Sequence, residues 1–138
     1  MSPSMREVVH KALKRLRNPR MVAEMKPYLD DAAGFLEAGM LQVARRSGQD
    51  CGPIEASMLL QGSLNHAYSL FYWRQAMEDP ANQRLVMMAS KLGDAAKACL
   101  SKALEMAVSI ARGQQMTQGD PLAKAMLTID VTQPDPPR

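Results

Sequence analysis

The chain is poor in aromatic residues and in the β-branched residues that favour strands. Phe, Trp and Tyr make up 4% of its 138 residues, although 46% are hydrophobic and 12 are Met. Valine and isoleucine, which suit a pleated sheet, are few. Alanine and methionine, which favour helices, fill most apolar positions. The composition therefore predicts an all-α protein, and the length suffices for one domain with a buried core.

Cysteine is also scarce, with one residue at Cys51 and one at Cys99. They form neither a CxxC metal motif nor a disulfide framework, so we expect a reducing, cytoplasmic environment. The charged first residues lack the apolar block of a secretory leader. No segment reaches the roughly 18–20 apolar residues of a membrane-spanning helix, so no membrane partner is expected.

Catalytic and cofactor motifs are missing as well. The sequence has no GxGxxG or GxxxxGK[ST] loop, no GxSxG elbow and no HExxH pair. A thiol–imidazole pair of His66 with Cys51 or Cys99 is the weakest functional alternative, because a cysteine on an alanine-rich helix face is commonly a small core residue. We therefore expect a protein that is not an enzyme and that uses no cofactor or metal.

Helix signals are abundant, and Asx-Pro pairs separate them. Asp or Asn caps the free N–H groups of a first turn, and proline fits the next position. The pairs are Asn18-Pro19, Asp79-Pro80 and Asp120-Pro121. Together with Ser4 as the first cap, they predict helices over 4–17, 19–46, 53–78 and 80–112.

Pro27 lies inside the second of these helices and predicts a kink or a break near Met25 and Lys26. Asp30 or Asp31 would then cap a restart. Whether this helix is one piece or two is left open by the sequence.

The fourth helix carries the most regular pattern in the chain, a seam of small and apolar residues spaced alternately by four and three. Its members are Leu85, Ala89, Leu92, Ala96, Cys99, Ala103, Met106 and Ile110. Such spacing is typical of coiled-coil packing. Because almost no linker joins the third and fourth helices, they should form an antiparallel hairpin. At about 1.5 Å per residue they are roughly 40 and 50 Å long, so we expect a second copy of the chain to cover the surplus seam.

The N-terminus is basic. Residues 1–26 hold seven Lys and Arg against two Glu, a balance of +5, whereas residues 51–79 carry a balance of −2. A basic end beside a neutral body suits a polyanion, and two short helices around Asn18-Pro19 have the outline of a helix-turn-helix. The alternative is a solvated helix face. The expected DNA-phosphate contacts are Arg6, Lys11, Lys14, Arg15, Arg17 and Arg20.

Four of the six aromatic residues cluster near the end of the third helix. Phe71 falls on the core face, in line with Leu64 and Ala67. Tyr68, Tyr72 and Trp73 are the candidate contacts for a partner. Three interpretations stay open for them: plugging the closed end of the hairpin, a protein interface, or stacking on bases.

Past Gly113 the sequence becomes polar, with glycine and three prolines near its end. Residues 114–138 are therefore expected to form a flexible tail that could contact a protein partner. The predicted organisation is a basic helical region over 1–49, a hairpin for oligomerisation over 50–113, and this tail.

This layout resembles the small terminase subunits of tailed bacteriophages. The resemblance implies that residues 5–27 bind DNA, that 53–112 form a ring-building hairpin, and that 114–138 meet the large motor subunit. It implies no catalytic residue. The expected function is thus a non-enzymatic, homo-oligomeric helical adaptor for DNA, with phage DNA packaging as its setting. The alternative is a helical protein-interaction module without a nucleic-acid role.

Overall fold

A computed structural model describes residues 4–119, with side chains up to residue 113. Within this range the chain forms helices and turns and no strand, so the all-α prediction is confirmed. The elements are α1 (Met5–Leu16), α2 (Pro19–Met25), a 3-10 turn (Lys26–Tyr28), α3 (Leu29–Ser47), α4 (Pro53–Glu78) and α5 (Gln83–Gly119).

The first two helices begin where the sequence predicts. The Ser4 hydroxyl accepts the Glu7 backbone N–H at 3.2 Å, and the Asn18 side chain accepts that of Met21 at 2.8 Å. Pro19 occupies the first turn of α2. Each cap satisfies an N–H group that has no partner within its helix.

Pro27 interrupts the helix between α2 and α3, as expected. The 3-10 turn contains it, and α3 restarts at Leu29. The expected cap at Asp30 or Asp31 is wrong. Tyr28 occupies the cap position without a side-chain hydrogen bond, and both aspartates lie in the first turn. There their negative charges interact favourably with the positive end of the helix dipole.

The bounds of the fourth predicted helix also change. Asp79 ends α4 rather than capping α5, and the Asn82 N–H donates to the Asp79 carbonyl at 3.1 Å. Pro80 is thus the second residue of a reverse turn, a position that its fixed φ suits. At the other end, α5 extends to Gly119. The predicted tail therefore starts too early, and its residues 120–138 lie outside the described range.

The antiparallel hairpin of α4 and α5 forms the body of the molecule. Helix α3 packs on both of its helices, and α1 packs mainly on α3. Small residues line the crossing of α4 and α5, where the Ser69 hydroxyl donates to the Ala89 carbonyl at 2.8 Å. A Cβ built on Gly62 would lie 3.0 Å from Cys99 Cβ. The helices therefore approach closely, with little room for larger side chains.

Candidate nucleic-acid interface

The six expected phosphate contacts fall into separate environments. Arg6 Nε lies 3.1 Å from Asp30 Oδ1, and Arg20 Nε lies 3.5 Å from Glu24 Oε1. Both pairs are at the surface, where ion pairs contribute little to stability. They nevertheless neutralise two of the six cations locally.

Arg17 is held by an aromatic residue of α4. Its Nε donates to the Tyr68 hydroxyl at 3.1 Å, and its Cζ lies 5.0 Å from the Tyr68 ring centroid. This hydrogen bond is the main reason why the pKa of Arg17 is raised above its ordinary value. Arg17 is therefore positioned by the fold, while its remaining guanidinium N–H groups stay available to a ligand.

Lys14 and Arg17 share a pocket between α1 and α2. The pocket has a volume of ≈ 470 Å³ and is also lined by His10 and Lys26. Its remaining lining residues are Pro19, Val22 and Ala23. No carboxylate lines it, so the permanently charged residues of the lining are all cations. We call these seven residues the cationic pocket.

His10 lies in the positive field of this pocket. Burial is the main reason why its pKa is lowered, and the charges of Lys14, Arg6 and Lys26 lower it further. The Nε2 atom is shielded from solvent and has no hydrogen-bond partner among the described residues. Its surroundings therefore disfavour the imidazolium, and the ring carries an unsatisfied polar atom.

Lys11 and Arg15 lie elsewhere, in a groove of ≈ 420 Å³ between α1 and α4. Glu7 and Leu60 also line it. Within the described range these two cations have no ion-pair partner, and neither has Lys14. The structure thus divides four of the six expected phosphate contacts between two surfaces, while Arg6 and Arg20 form separate ion pairs.

His10 and Lys26 were missing from the expected set. The spacing of His10, Lys14 and Arg17, four and then three residues, places them on one side of α1 and could have revealed the first. Lys26 joins them because α2 folds back against α1 at Arg17 and Asn18, which no local spacing records.

The expected oligomer seam faces partly inward. Ala89, Ala96 and Ala103 are fully buried within the single chain. The other five members are half-buried: Leu85, Leu92, Cys99, Met106 and Ile110. Part of the seam therefore forms the interface between α4 and α5, and its half-buried members keep some exposed surface.

The three aromatic candidates for partner contact also separate. Tyr68 is buried beneath Arg17, and Tyr72 is half-buried against Phe71, with ring centroids 5.2 Å apart. Phe71 also meets Tyr28 edge to face at 6.4 Å. Of the three candidates, Trp73 remains exposed, at 41%. The cluster thus joins the 3-10 turn to α4.

Neither of the candidate pairs for thiol–imidazole chemistry is formed. His66 stacks on Phe35 with a centroid distance of 5.4 Å, while Cys99 lies at the Gly62 crossing. Burial raises the pKa of the Cys51 thiol, which disfavours the thiolate.

Among residues 4–113, no three metal-ligating side chains form a cluster. The helices described include none long and apolar enough to cross a membrane.

Comparison with known proteins gives no matching family model, no matching curated protein and no matching solved structure. The arrangement of charge and exposed surface on the chain therefore carries the inferences that follow.

Proposed function

We propose that the protein is a non-enzymatic adaptor that binds DNA through α1, α2 and the turn after them. The observation that carries the proposal is the cationic pocket, where three cations and His10 meet with no carboxylate among the lining residues. Lys11 and Arg15 extend the positive surface around α1. Contacts of this kind bind phosphates and orient a protein on DNA without reading its sequence.

The salt dependence of DNA binding tests this function. The logarithm of the affinity falls linearly with the logarithm of the salt concentration. Each phosphate contact adds about 0.9 to the magnitude of this slope. Neutralising Lys11, Lys14 and Arg15 together to Gln should lower the slope by about two to three. Fluorescence anisotropy of a labelled duplex at several salt concentrations measures it.

The matched control replaces three exposed lysines of α5, namely Lys91, Lys97 and Lys102, with Gln. It makes the same change in net charge and should leave the slope close to that of the wild type. Equal slopes for the two triple variants would reject the assignment to α1. Absence of wild-type binding at low salt would reject the DNA-binding function itself.

We also propose that the adaptor is a homo-oligomer. Helix α5 has 37 residues and α4 has 26, which correspond to about 55 and 39 Å. The half-buried side chains towards the far end of the seam, such as Met106 and Ile110, support a partner copy alongside α5. Light scattering with and without duplex DNA gives the mass, and a monomer under both conditions contradicts the proposal. Phage DNA packaging is the specific role that the resemblance to small terminase subunits suggests.

A second candidate is a protein-interaction module without a nucleic-acid role. It is favoured by Trp73, 41% exposed, and by Met77, 79% exposed and one helical turn further along α4. Exposed Trp is a common anchor in protein interfaces. Under this alternative, Trp73→Ala abolishes self-association or partner binding, whereas the neutralised α1 variant behaves as the wild type.

A further inference from the structure

We infer that the cationic pocket is a phosphate site in which His10 takes up a proton when the phosphate binds. The inference rests on the proposed function in one respect, namely that the phosphate belongs to the backbone of DNA. A free phosphate compound has the same chemistry, and the experiments below distinguish the two sources.

The first argument is the shape and lining of the pocket. A volume of ≈ 470 Å³ exceeds what one phosphate group needs, so a phosphate with part of its sugar can enter. Lys14 and Lys26 supply ammonium groups, and Arg17 supplies a guanidinium that Tyr68 already orients. An oriented guanidinium loses less conformational entropy on binding and can donate two parallel hydrogen bonds to phosphate oxygens.

The second argument is the unsatisfied Nε2 atom of His10. A buried polar atom without a partner has lost its hydrogen bonds to water without replacement, and native proteins keep few of them. Inside the described range no side chain or backbone group supplies the missing hydrogen bond. Because Nε2 is shielded from solvent in the empty pocket, a phosphate oxygen can accept a hydrogen bond from it only after the ring turns towards the pocket.

The charges around His10 give the direction of the coupling. Arg6 and Lys14 face it from α1 and Lys26 faces it from the 3-10 turn, while Arg17 lies on the same pocket. Asp30 of α3 pairs with Arg6 and reduces that one contribution. In the empty pocket these cations disfavour the imidazolium. A bound phosphate brings negative charge, which favours the imidazolium form of His10.

The expected consequence is tighter phosphate binding as the pH falls. If the protein takes up a proton when the phosphate binds, its affinity for the phosphate increases as the pH is lowered, because the two binding events are thermodynamically linked. The range in question is that in which histidine titrates, below about pH 7. DNA phosphodiesters keep their charge throughout this range, so a pH effect on DNA affinity reports protein groups.

The first experiment titrates the two histidine ring resonances by NMR with and without sulfate, a phosphate mimic that does not titrate in this range. Sulfate should raise the pKa of His10. The ring resonances of His66, stacked on Phe35 and absent from the pocket lining, should not respond to sulfate and serve as the internal control. An unchanged titration of His10 in sulfate would overturn the inference.

The second experiment measures duplex affinity at constant ionic strength from about pH 7.5 to about pH 5.5. Wild-type affinity should rise by up to about tenfold, the factor that one pKa unit represents. His10→Gln should remove most of this rise, and Lys26→Gln should weaken binding at every pH. Lys97→Gln, an equal change of charge on α5, should alter neither.

The two proposals fail in different ways. DNA binding with the same pH profile in His10→Gln and in the wild type overturns the inference and leaves the DNA-binding function intact. A sulfate response at His10 without any DNA binding rejects that function and assigns the pocket to a free phosphate compound. Should His10→Gln fail to fold, the sulfate titration of the wild type still decides.

Discussion

Arg17, the last residue before the turn into α2, donates from Nε to the hydroxyl of Tyr68 in the middle of α4. Its guanidinium carbon lies 5.0 Å from the centroid of the same ring. Since Tyr68 is 6% exposed, the contact ties the basic end of the chain to the body of the hairpin. The charges of α1 are thus held in a fixed position relative to α4 and α5.

Replacing Tyr68 with Phe should destabilise the protein by about 0.5–1.5 kcal/mol, because it removes the acceptor of this hydrogen bond and keeps the ring. Urea unfolding followed by circular dichroism measures the change. The matched control is Tyr72→Phe, since the Tyr72 hydroxyl has no hydrogen bond within the described residues. Equal losses in the two variants would show that the Arg17 contact contributes nothing.

The close crossing of α4 and α5 makes Gly62 sensitive to size. A Cβ there would lie 2.9 Å from Phe35 Cε1 and 3.3 Å from the Ala96 carbonyl oxygen. We expect Gly62→Ala to lose about 1–2 kcal/mol, because the cost of overpacking exceeds the gain in helix propensity. Thermal and urea unfolding provide the measurement.

Gly34→Ala is the control for this effect. Gly34 lies within α3, and a Cβ added there meets nothing within 4 Å. The same substitution should therefore stabilise the protein by about 0.5–1 kcal/mol. A stabilised Gly62→Ala variant would mean that α4 and α5 are less tightly packed than described.

The ion pair of Arg20 with Glu24 offers a test on DNA affinity. Glu24→Gln leaves Arg20 without its partner and removes one negative charge from α2. The affinity for a duplex should rise, by more at low salt than at high salt. Glu37→Gln makes the same charge change on the exposed side of α3 and should have a smaller effect. Equal gains in both variants would indicate a response to net charge alone.

The stability of the ligand-free protein should fall as the pH is lowered below about 6.5, in part because of His10. Its pKa is lowered in the folded state, so the unfolded chain binds more protons over the range between the two pKa values. The folded state is therefore penalised as the pH falls through that range. Urea unfolding at several pH values measures the slope.

His10→Gln should remove this part of the decline, whereas His66→Gln should retain it. Anions that occupy the cationic pocket would mask the effect, so the buffer for these measurements contains neither phosphate nor sulfate. If stability depended on pH in His10→Gln as it does in the wild type, the titration of His10 would not account for the decline.

The fold could be predicted from the sequence wherever local chemistry decides it. Ser4, Asn18 and Pro27 act on the backbone within one or two turns, and each marks a boundary that the structure reproduces. Asp79-Pro80 was misassigned because the same pair suits both a helix start and a reverse turn. The packing of the neighbouring helices decides between them, and that packing is a tertiary property.

The candidate site was predictable only in part. The basic character of α1 is a matter of composition, and the expected set included Lys14 and Arg17, which the structure places in one pocket. Ion pairing by Arg6 depends on Asp30, which is distant in the sequence and comes close only when α3 folds beside α1. The sequence left the role of Tyr68 open among three interpretations, because nothing local places Arg17 above its ring. Contacts between separate helices therefore account for the differences.

Pro27 has an effect that reaches beyond the helix it interrupts. A continuous helix through this position would carry Asp30 onward along the axis of α2. The interruption instead lets α3 pack beside α1, where Asp30 Oδ1 lies 3.1 Å from Arg6 Nε. An uncharged imino acid thereby governs which carboxylate offsets the positive charge at this end of the molecule.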